Sequence, residues 1–553
     1  MKVKKEVKEN LIKKLSVVAD WHQAQRDDSK VAKQMYKKKK VDSIYNLEET
    51  GLLDEFYDFL EEMDVIKLVK KITPTGVKRV MVPFFQYVLL YMLKILFGIE
   101  AINAVRPLLF SNQAAMKLVG FNAHQIKNGV CRRGEWKRKK GSSKKSTPIC
   151  DDTLARNIVK ISPAVIEKFF NGVISCLAKC RVFPKEISVI IDSSDIQTTQ
   201  NYKGCGSVTR TKTIRDKKGN KHKIEITVYG WKIIVVFWSK LKIPLACKVV
   251  KIQESENDYA LEVVKQAMKN IEPYSKIIRI SEDRGFLDGK DQWWLNQQGI
   301  GFVVPAKISM DVYRDAKSYI GHKEEGGIFI KSRTKWVNKR INGKIEKIPL
   351  ETELLGIEGL NSYWQYGEKG CEKEAYKRHG KINEINAIVV LIWDGKDYTQ
   401  KKGRVYLTNM PVGDPFVGFD TYDDRSLIEN CLYKESKQGW HIKHSPQKTE
   451  QAIVVHIFFT LTVFALSNAF HKWKKEKQKE EEEEQIGIIR KRREIALKNK
   501  NKVIVFIEGK YGIFYMAEVL ILSGVEVKEL PEGITSRNKI FRKYNIKETT
   551  WPP

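Results

Sequence analysis

Apolar positions recur along this chain with two different periods, and the change between them divides it. From residue 51 to about 125 the spacing is helical: Leu52, Leu53, Phe56, Phe59 and Leu60 fall on one face. Residues 152–180 continue in the same period. Asp152 stands where it can cap a helix with apolar positions Leu154, Ile158, Ile161, Val165, Phe169 and Phe170. At Glu186 the pattern shifts. Residues 187–191, Ile-Ser-Val-Ile-Ile, read as a short buried strand with Asp192 directly at its end. Residues 224–238 and 243–252, rich in β-branched and aromatic side chains, predict two more strands joined near Lys240–Lys242. Ser255 precedes Asp258 by a capping-box spacing, and Ala260, Leu261, Val264, Ala267 and Met268 follow as a helix face. A fourth strand is predicted at Lys276–Ile280, with Asp283 just past its end. A helix from near Asp288 to Gly299 leads to a fifth strand, Gly301–Val304.

Three sequential strands favour an antiparallel meander, and helical crossovers then add parallel strands. That element order predicts an α/β fold with a ribonuclease-H-like core, a mixed sheet with helices. Ligands of open α/β sheets bind outside the carboxyl ends of the strands. Asp192 and Asp283 close the first and fourth strands, which this fold sets side by side. Asp195 rivals Asp192, which ends the apolar run directly. Glu282 rivals Asp283, and in an extended chain it points to the opposite side.

Residues 306–403, rich in Gly, Lys and Tyr, carry the short β-runs Ile328–Ile330, Ile345–Ile348 and Ala387–Trp393, and predict a β-rich insertion. Val405–Asn409 reads as a strand returning to the core. Tyr422–Lys437 reads as a helix with Tyr422, Arg425 and Glu429 on one face. The long apolar stretches Val82–Ile99 and Ile453–Phe470 are interrupted by polar residues and read as buried helices, not membrane spans. The expected division is a helical, basic DNA-binding region over 1–150, the core over 151–305 and 404–475, the insertion over 306–403, and a charged C-terminal region over 476–553 for which dimerisation is the role considered.

Charge sharpens this picture. The 553 residues hold 99 Lys and Arg against 67 Asp and Glu, a formal charge of +32, which calls for a polyanionic partner such as nucleic acid. The competing reading is lysine spread over every surface. Between Arg132 and Lys145 basic residues crowd together, and Lys137, Arg138, Lys139 and Lys140 suit a phosphate backbone unless the segment is only a solvated loop. The eight cysteines form no Cys-x-x-Cys pair, and the first fourteen residues lack an apolar core for export. A reduced, cytoplasmic protein, nucleoid-associated when bound to DNA and without a membrane partner, is expected.

Three carboxylates at one sheet edge repel one another unless cations neutralise them, and hard divalent ions do so through oxygen ligands. The segments Ile191-Asp192-Ser193-Ser194, Ser281-Glu282-Asp283-Arg284-Gly285-Phe286 and Tyr422-Asp423-Asp424-Arg425-Ser426-Leu427-Ile428-Glu429 resemble bacterial insertion-sequence transposases of the DDE class. The resemblance is to insertion-sequence family four, with its Tyr-Arg-Glu-Lys signature, and spans roughly residues 80–475. The signature lysine is expected seven residues after the glutamate, where Ser436 stands; Lys437 is one later and Lys434 two earlier.

The resemblance implies a cut-and-paste transposase that binds the terminal inverted repeats of its own element, hydrolyses a strand and joins the freed 3′-OH to target DNA. It implies two Mg²⁺ ions, replaceable by Mn²⁺, held by Asp192, Asp283 and Glu429. It further implies phosphate contacts from Arg284, Tyr422, Arg425 and Lys437, and a homodimer in a paired-end complex on double-stranded DNA. An insertion-domain tryptophan stacks on a flipped base in relatives that cleave through a hairpin; Trp336, Trp364 and Trp393 are the candidates, each also readable as core. The competing functions are a DNA-binding protein that has lost catalysis and a stand-alone nuclease of the same fold.

Overall fold

The computed structural model describes residues 25–39, 41–46, 52–76, 82–130, 148–215, 221–322, 326–341, 344–368, 383–399, 403–485, 502–526 and 536–547. Lys137, Arg138, Lys139 and Lys140 lie outside these residues. The chain divides into two compact units, one from residues 1–169 with 470–553, the other from 170–469.

The first unit is built from both ends of the chain. Its sheet contains β1 (Gln25–Arg26), β2 (Ser43–Asn46), β14 (Lys502–Ile507) and β15 (Lys510–Tyr515), in the order β1-β15-β14-β2. The N-terminal region, expected to be helical, thus also contributes two strands, and the charged C-terminal region shares their sheet. The apolar run Val503–Ile507 pairs with β2 on one side and β15 on the other. Val505 and Phe514 pack with Val31 and Met35 of the helix Asp28–Lys38. Charged contacts tie the same segments together: Lys502 Nζ lies 2.8 Å from Asp58, and Arg26, ion-paired to Asp28 at 2.7 Å, stacks over the Tyr57 ring at 4.4 Å. The helix Leu52–Glu62 buries the predicted face through Phe56, Phe59 and Leu60. In the helix Phe84–Leu96 the interrupting Lys94 is itself buried, and its ammonium donates to the carbonyls of Ile99 (2.7 Å) and Glu100 (3.0 Å) in the segment after the helix, which satisfies the buried charge.

The second unit holds an eleven-stranded mixed sheet. Its strands are β3 (Glu186–Thr198), β4 (Gly206–Arg215), β5 (Lys221–Trp238), β6 (Ile243–Lys251), β7 (Lys276–Glu282), β8 (Gly301–Pro305), β9 (Ile328–Ile341), β10 (Lys344–Leu360), β11 (Ile385–Trp393), β12 (Lys396–Asp397) and β13 (Arg404–Thr408). The main order is β4-β5-β3-β7-β8-β13-β11-β10-β9, with β6 on β5 and β12 on β11. Only β3–β7 and β7–β8 are parallel. The predicted meander and crossovers are present, but β4 is an added strand. The segment expected to be an insertion forms no sheet of its own: β9, β10 and β11 continue the same sheet through β13, which pairs with β8.

Local signals fared unevenly. The helix Asn257–Ile271 has Glu256, not Ser255, at its N-cap, and no side chain caps it, so the capping-box reading is corrected. Asp288 does cap its helix, accepting from the amides of Lys290 and Asp291. Residues 152–180 form two helices, Asp151–Ile158 and Pro163–Lys179, bent by 89°. The helix Glu450–Gln485 contains a stretch long and apolar enough to cross a membrane, yet 89% of its most apolar window is buried inside the protein. Two of its buried hydroxyls bond within the helix, Thr460 on the carbonyl of His456 and Thr462 on that of Phe458.

Because Phe514 is fully packed, 5.3 Å from the Tyr544 ring, its loss opens a cavity in a sheet closed by the far end of the chain. Phe514→Ala should lower the unfolding free energy of the first unit by about 3–5 kcal/mol, read by urea denaturation. A change below about 1 kcal/mol would show that the C-terminal strands do not support that unit.

Candidate active site

Parallel pairing of β3 with β7 ends at Ile191↔Glu282. The next residues, Asp192 and Asp283, therefore stand at the same level: Asp283 follows the end of β7, whereas β3, expected to stop before Asp192, runs on through it to Thr198, with Asp192 paired to Val235 of β5. Asp192 is buried, while Asp283 keeps 42% of its side-chain surface exposed. The third carboxylate arrives on a separate element. The helix Pro415–Asp423, capped by Asp414, packs Phe416 and Phe419 onto β8, β11 and β13. Arg333 of β9 holds its outer face by paired hydrogen bonds to Asp420 at 2.9 and 2.6 Å. A turn follows, and then residues 428–434 form a π-helix carrying Glu429. The predicted single helix over Tyr422–Lys437 is thus corrected to two helical pieces with a break between them.

Arg425 lies in that break and faces all three carboxylates. Its guanidinium is 3.4 Å from Asp192, 3.9 Å from Asp283 and 3.4 Å from Glu429. It also lies over the Tyr422 ring at 5.7 Å, and that ring sits 4.5 Å from Tyr406. Two further bonds fix the π-helix against β3: the Tyr433 hydroxyl donates to the carbonyl of Asp192 at 2.7 Å, and Lys437 Nζ donates to Ser194 Oγ at 2.6 Å. Tyr433 was not singled out from sequence; its position one turn after Glu429 was the available signal. A π turn holds more residues than an α turn. Lys437, eight residues past Glu429, thereby reaches β3, while Ser436 is fully buried and bonds to the Tyr433 carbonyl.

The rival carboxylates are engaged elsewhere. Asp195 pairs with Arg210. Glu282 is buried on the other side of β7, where Gln292 donates to it at 3.1 Å and Tyr363 donates to Gln292 at 2.8 Å. Arg284 is exposed beside Asp283. Of the tryptophans, Trp336 is 58% exposed on β9; Trp364 donates to Asp311 at 2.8 Å, and Trp393 is covered by Phe419 and by Arg404 at 4.2 Å.

Burial pushes the Asp192 carboxyl up to about 7, Arg425 opposes the rise, and Asp283 and Glu429 add to it. Burial likewise raises the Tyr422 phenol, so at neutral pH it stays protonated and is poorly suited to act as a nucleophile. The donor set, three carboxylates gathered about one guanidinium, is of the oxygen type that hard divalent cations take.

Carboxylates from two adjacent parallel strands, one within β3 and one just past the end of β7, and from a following helix define a phosphoryl-transfer site of the DDE type. Residues 184–466, just over half of the chain, match the family described as "Transposase DDE domain", and the chain belongs to that family. It is a DDE transposase, an enzyme acting on DNA, in a family whose chemistry uses divalent metal ions. No curated protein matches the chain. Among solved structures it is similar to the piggyBac transposase synaptic complex with hairpin DNA, determined by cryo-electron microscopy, at 9% identity and a TM-score of 0.35, covering 90% of this chain and 86% of that one.

Stability in chelator should report the buried carboxyl directly. An unfolded aspartate titrates near 4, so a folded value of about 7 means that the native state binds this proton more tightly. The resulting stabilisation is complete below about pH 4 and is lost as pH rises through about 7. Wild-type stability relative to Asp192→Asn should therefore fall across that window in EDTA, measured by chemical denaturation. A pH-independent difference would show that Asp192 is not perturbed. Glu282, pushed by burial to about 8, is present in both proteins and cancels.

Proposed function

We propose that this transposase belongs to the insertion-sequence group with the Tyr-Arg-Glu-Lys signature, and that β3, β5, β6, β7 and β8 form a ribonuclease-H-like core. On this reading Asp192, Asp283 and Glu429 are the catalytic carboxylates and hold two Mg²⁺ ions. The observation that carries it is their convergence on Arg425 from three segments distant in sequence.

The bound ions supply charge stabilisation and an activated water for in-line attack on a phosphodiester. The chain's own groups position that reaction. Arg425 draws the three carboxylates together and, with Arg284, presents donors to a phosphate. Tyr422 backs the guanidinium with its ring. Lys437 takes the place of the signature lysine one residue late, because the π-helix absorbs the extra residue. Trp336, exposed on β9, is the tryptophan open to stack on a displaced base. The substrates are the terminal inverted repeats of the element and then target DNA, paired by a homodimer. Cleavage frees a 3′-OH, which attacks the target phosphodiester as the next strand is joined.

Glu435 gives an internal control. It lies on the short helix Glu435–Gln438 after the π-helix and faces Lys242 at 3.5 Å, away from Arg425. Glu429→Gln should nearly abolish both nicking and strand joining while DNA binding stays close to wild type, whereas Glu435→Gln should leave both steps near normal. A dead Glu435→Gln beside an active Glu429→Gln would overturn the assignment of Glu429, Tyr422, Arg425 and Lys437 together. EDTA should stop nicking, and Mg²⁺ or Mn²⁺ should restore it. Persistent nicking in chelator, or a covalent protein–DNA adduct at Tyr422, would refute the metal-dependent route.

A further inference from the structure

The strand that sequence patterning missed, β4, forms a projecting ribbon with the first half of β5. Ten register pairs run from Gly206↔Gly230 to Arg215↔Lys221. β3 pairs with β5 only from Tyr229 onward, and β6 only from Trp231 onward. Beyond the two glycines the ribbon therefore has no third strand among the described residues. Its root requires glycine: Gly230 has φ of 145°, and a Cβ there would lie 2.1 Å from the Ile196 carbonyl oxygen.

The ribbon has no core to explain its composition. Arg210, Lys212 and Thr213 on one strand and Lys223, Ile224 and Glu225 on the other are exposed. Over 206–215 and 221–228 the charged residues are Arg210, Lys212, Arg215, Lys221 and Lys223 against Glu225 alone. Charged edge strands also guard against sheet-to-sheet aggregation. Both strands of the ribbon are edges there, so that is the competing reading; the ribbon nevertheless runs well past the sheet, with β4 carrying three basic residues and no acidic one.

Its placement points to the substrate. Asp192 pairs with Val235 of β5, and by register Thr213 and Lys223 share the sheet face of Asp192. From Val235 the ribbon beyond Gly230 covers about 20 to about 46 Å along the strand at about 3.3 Å per residue, with Lys223 at about 40 Å. At 3.4 Å per base pair this is about 6 to 14 base pairs of duplex from the carboxylates, with Lys223 at about 12. A two-stranded ribbon fits the major groove, and basic groups on both of its faces suit a groove walled on either side by phosphate.

We propose that the β4–β5 ribbon is a DNA-binding arm that lies in the groove of the duplex about one helical turn from the scissile phosphate, with Lys212 and Lys223 on phosphate oxygens. This rests on the reading of the chain as a DNA transposase and adds a contact surface to it.

The test uses the full chain and a mixed-sequence duplex of about 40 base pairs, followed by fluorescence anisotropy over a range of KCl; each phosphate contact contributes about 0.9 to the slope of log K against log salt. Lys212→Gln/Lys223→Gln should flatten that slope by about 2, and Glu225→Lys should steepen it by about 1. Opposite shifts from two surface changes cannot both come from misfolding. Slopes equal to wild type in both variants would overturn the proposal. So would a double variant that aggregates while its soluble fraction keeps the wild-type slope, since that is the behaviour of an edge guard. If the wild-type chain itself shows no salt-dependent binding to the duplex, the DNA reading fails along with the arm.

Discussion

The site depends on one guanidinium. Asp192, Asp283 and Glu429 come from segments far apart in sequence, and their charges repel one another wherever they meet. Arg425 offsets that repulsion by standing between them at 3.4 to 3.9 Å. These separations are longer than those of a saturated ion pair, so the arrangement holds the carboxylates near one another without using up their oxygens. Much of the surrounding structure serves to hold Arg425 there. The helix before it is pinned by Arg333 and by the bond from Ser281 to the Thr421 carbonyl at 3.2 Å, and the helix after it is pinned by Tyr433 and Lys437. Removing the guanidinium would leave a partly buried aspartate facing two like charges with no nearby compensation.

What could be read beforehand follows physical lines. Asp192 and Asp283 were legible because each closes a run of apolar residues; Asp283 does follow a strand end, but β3 runs on past Asp192 to Thr198, because pairing with β5 continues where the apolar run stops. The same end of the apolar run set Asp192 above Asp195, and the two-residue period of extended chain set Asp283 above Glu282; Asp195 pairs with Arg210 and Glu282 with Gln292. β4 was not legible, since a ribbon exposed on both faces has no apolar period to detect. The π-helix was equally hidden, because its extra residue leaves composition unchanged and shows only as a signature lysine displaced by one. The pairing of β2 with β14 joins positions more than 450 residues apart, and no local pattern encodes a partner at that distance. Lys94 interrupts an apolar run in sequence, yet it is buried, because its ammonium reaches the carbonyls of Ile99 and Glu100 beyond its own helix.

The first unit's sheet has a further consequence for how the protein is made. β1 and β2 leave the ribosome more than 450 residues before β14 and β15, which lie between them in the sheet. At about 5–20 residues per second, close to half a minute or more separates the two. During that interval the second unit can assemble from contiguous chain, whereas the edges of β1 and β2 wait without partners. Assembly of the carboxylate site and completion of the first unit's sheet are thus separated in time during synthesis, and a chain that stops before β14 carries the three carboxylates without that sheet.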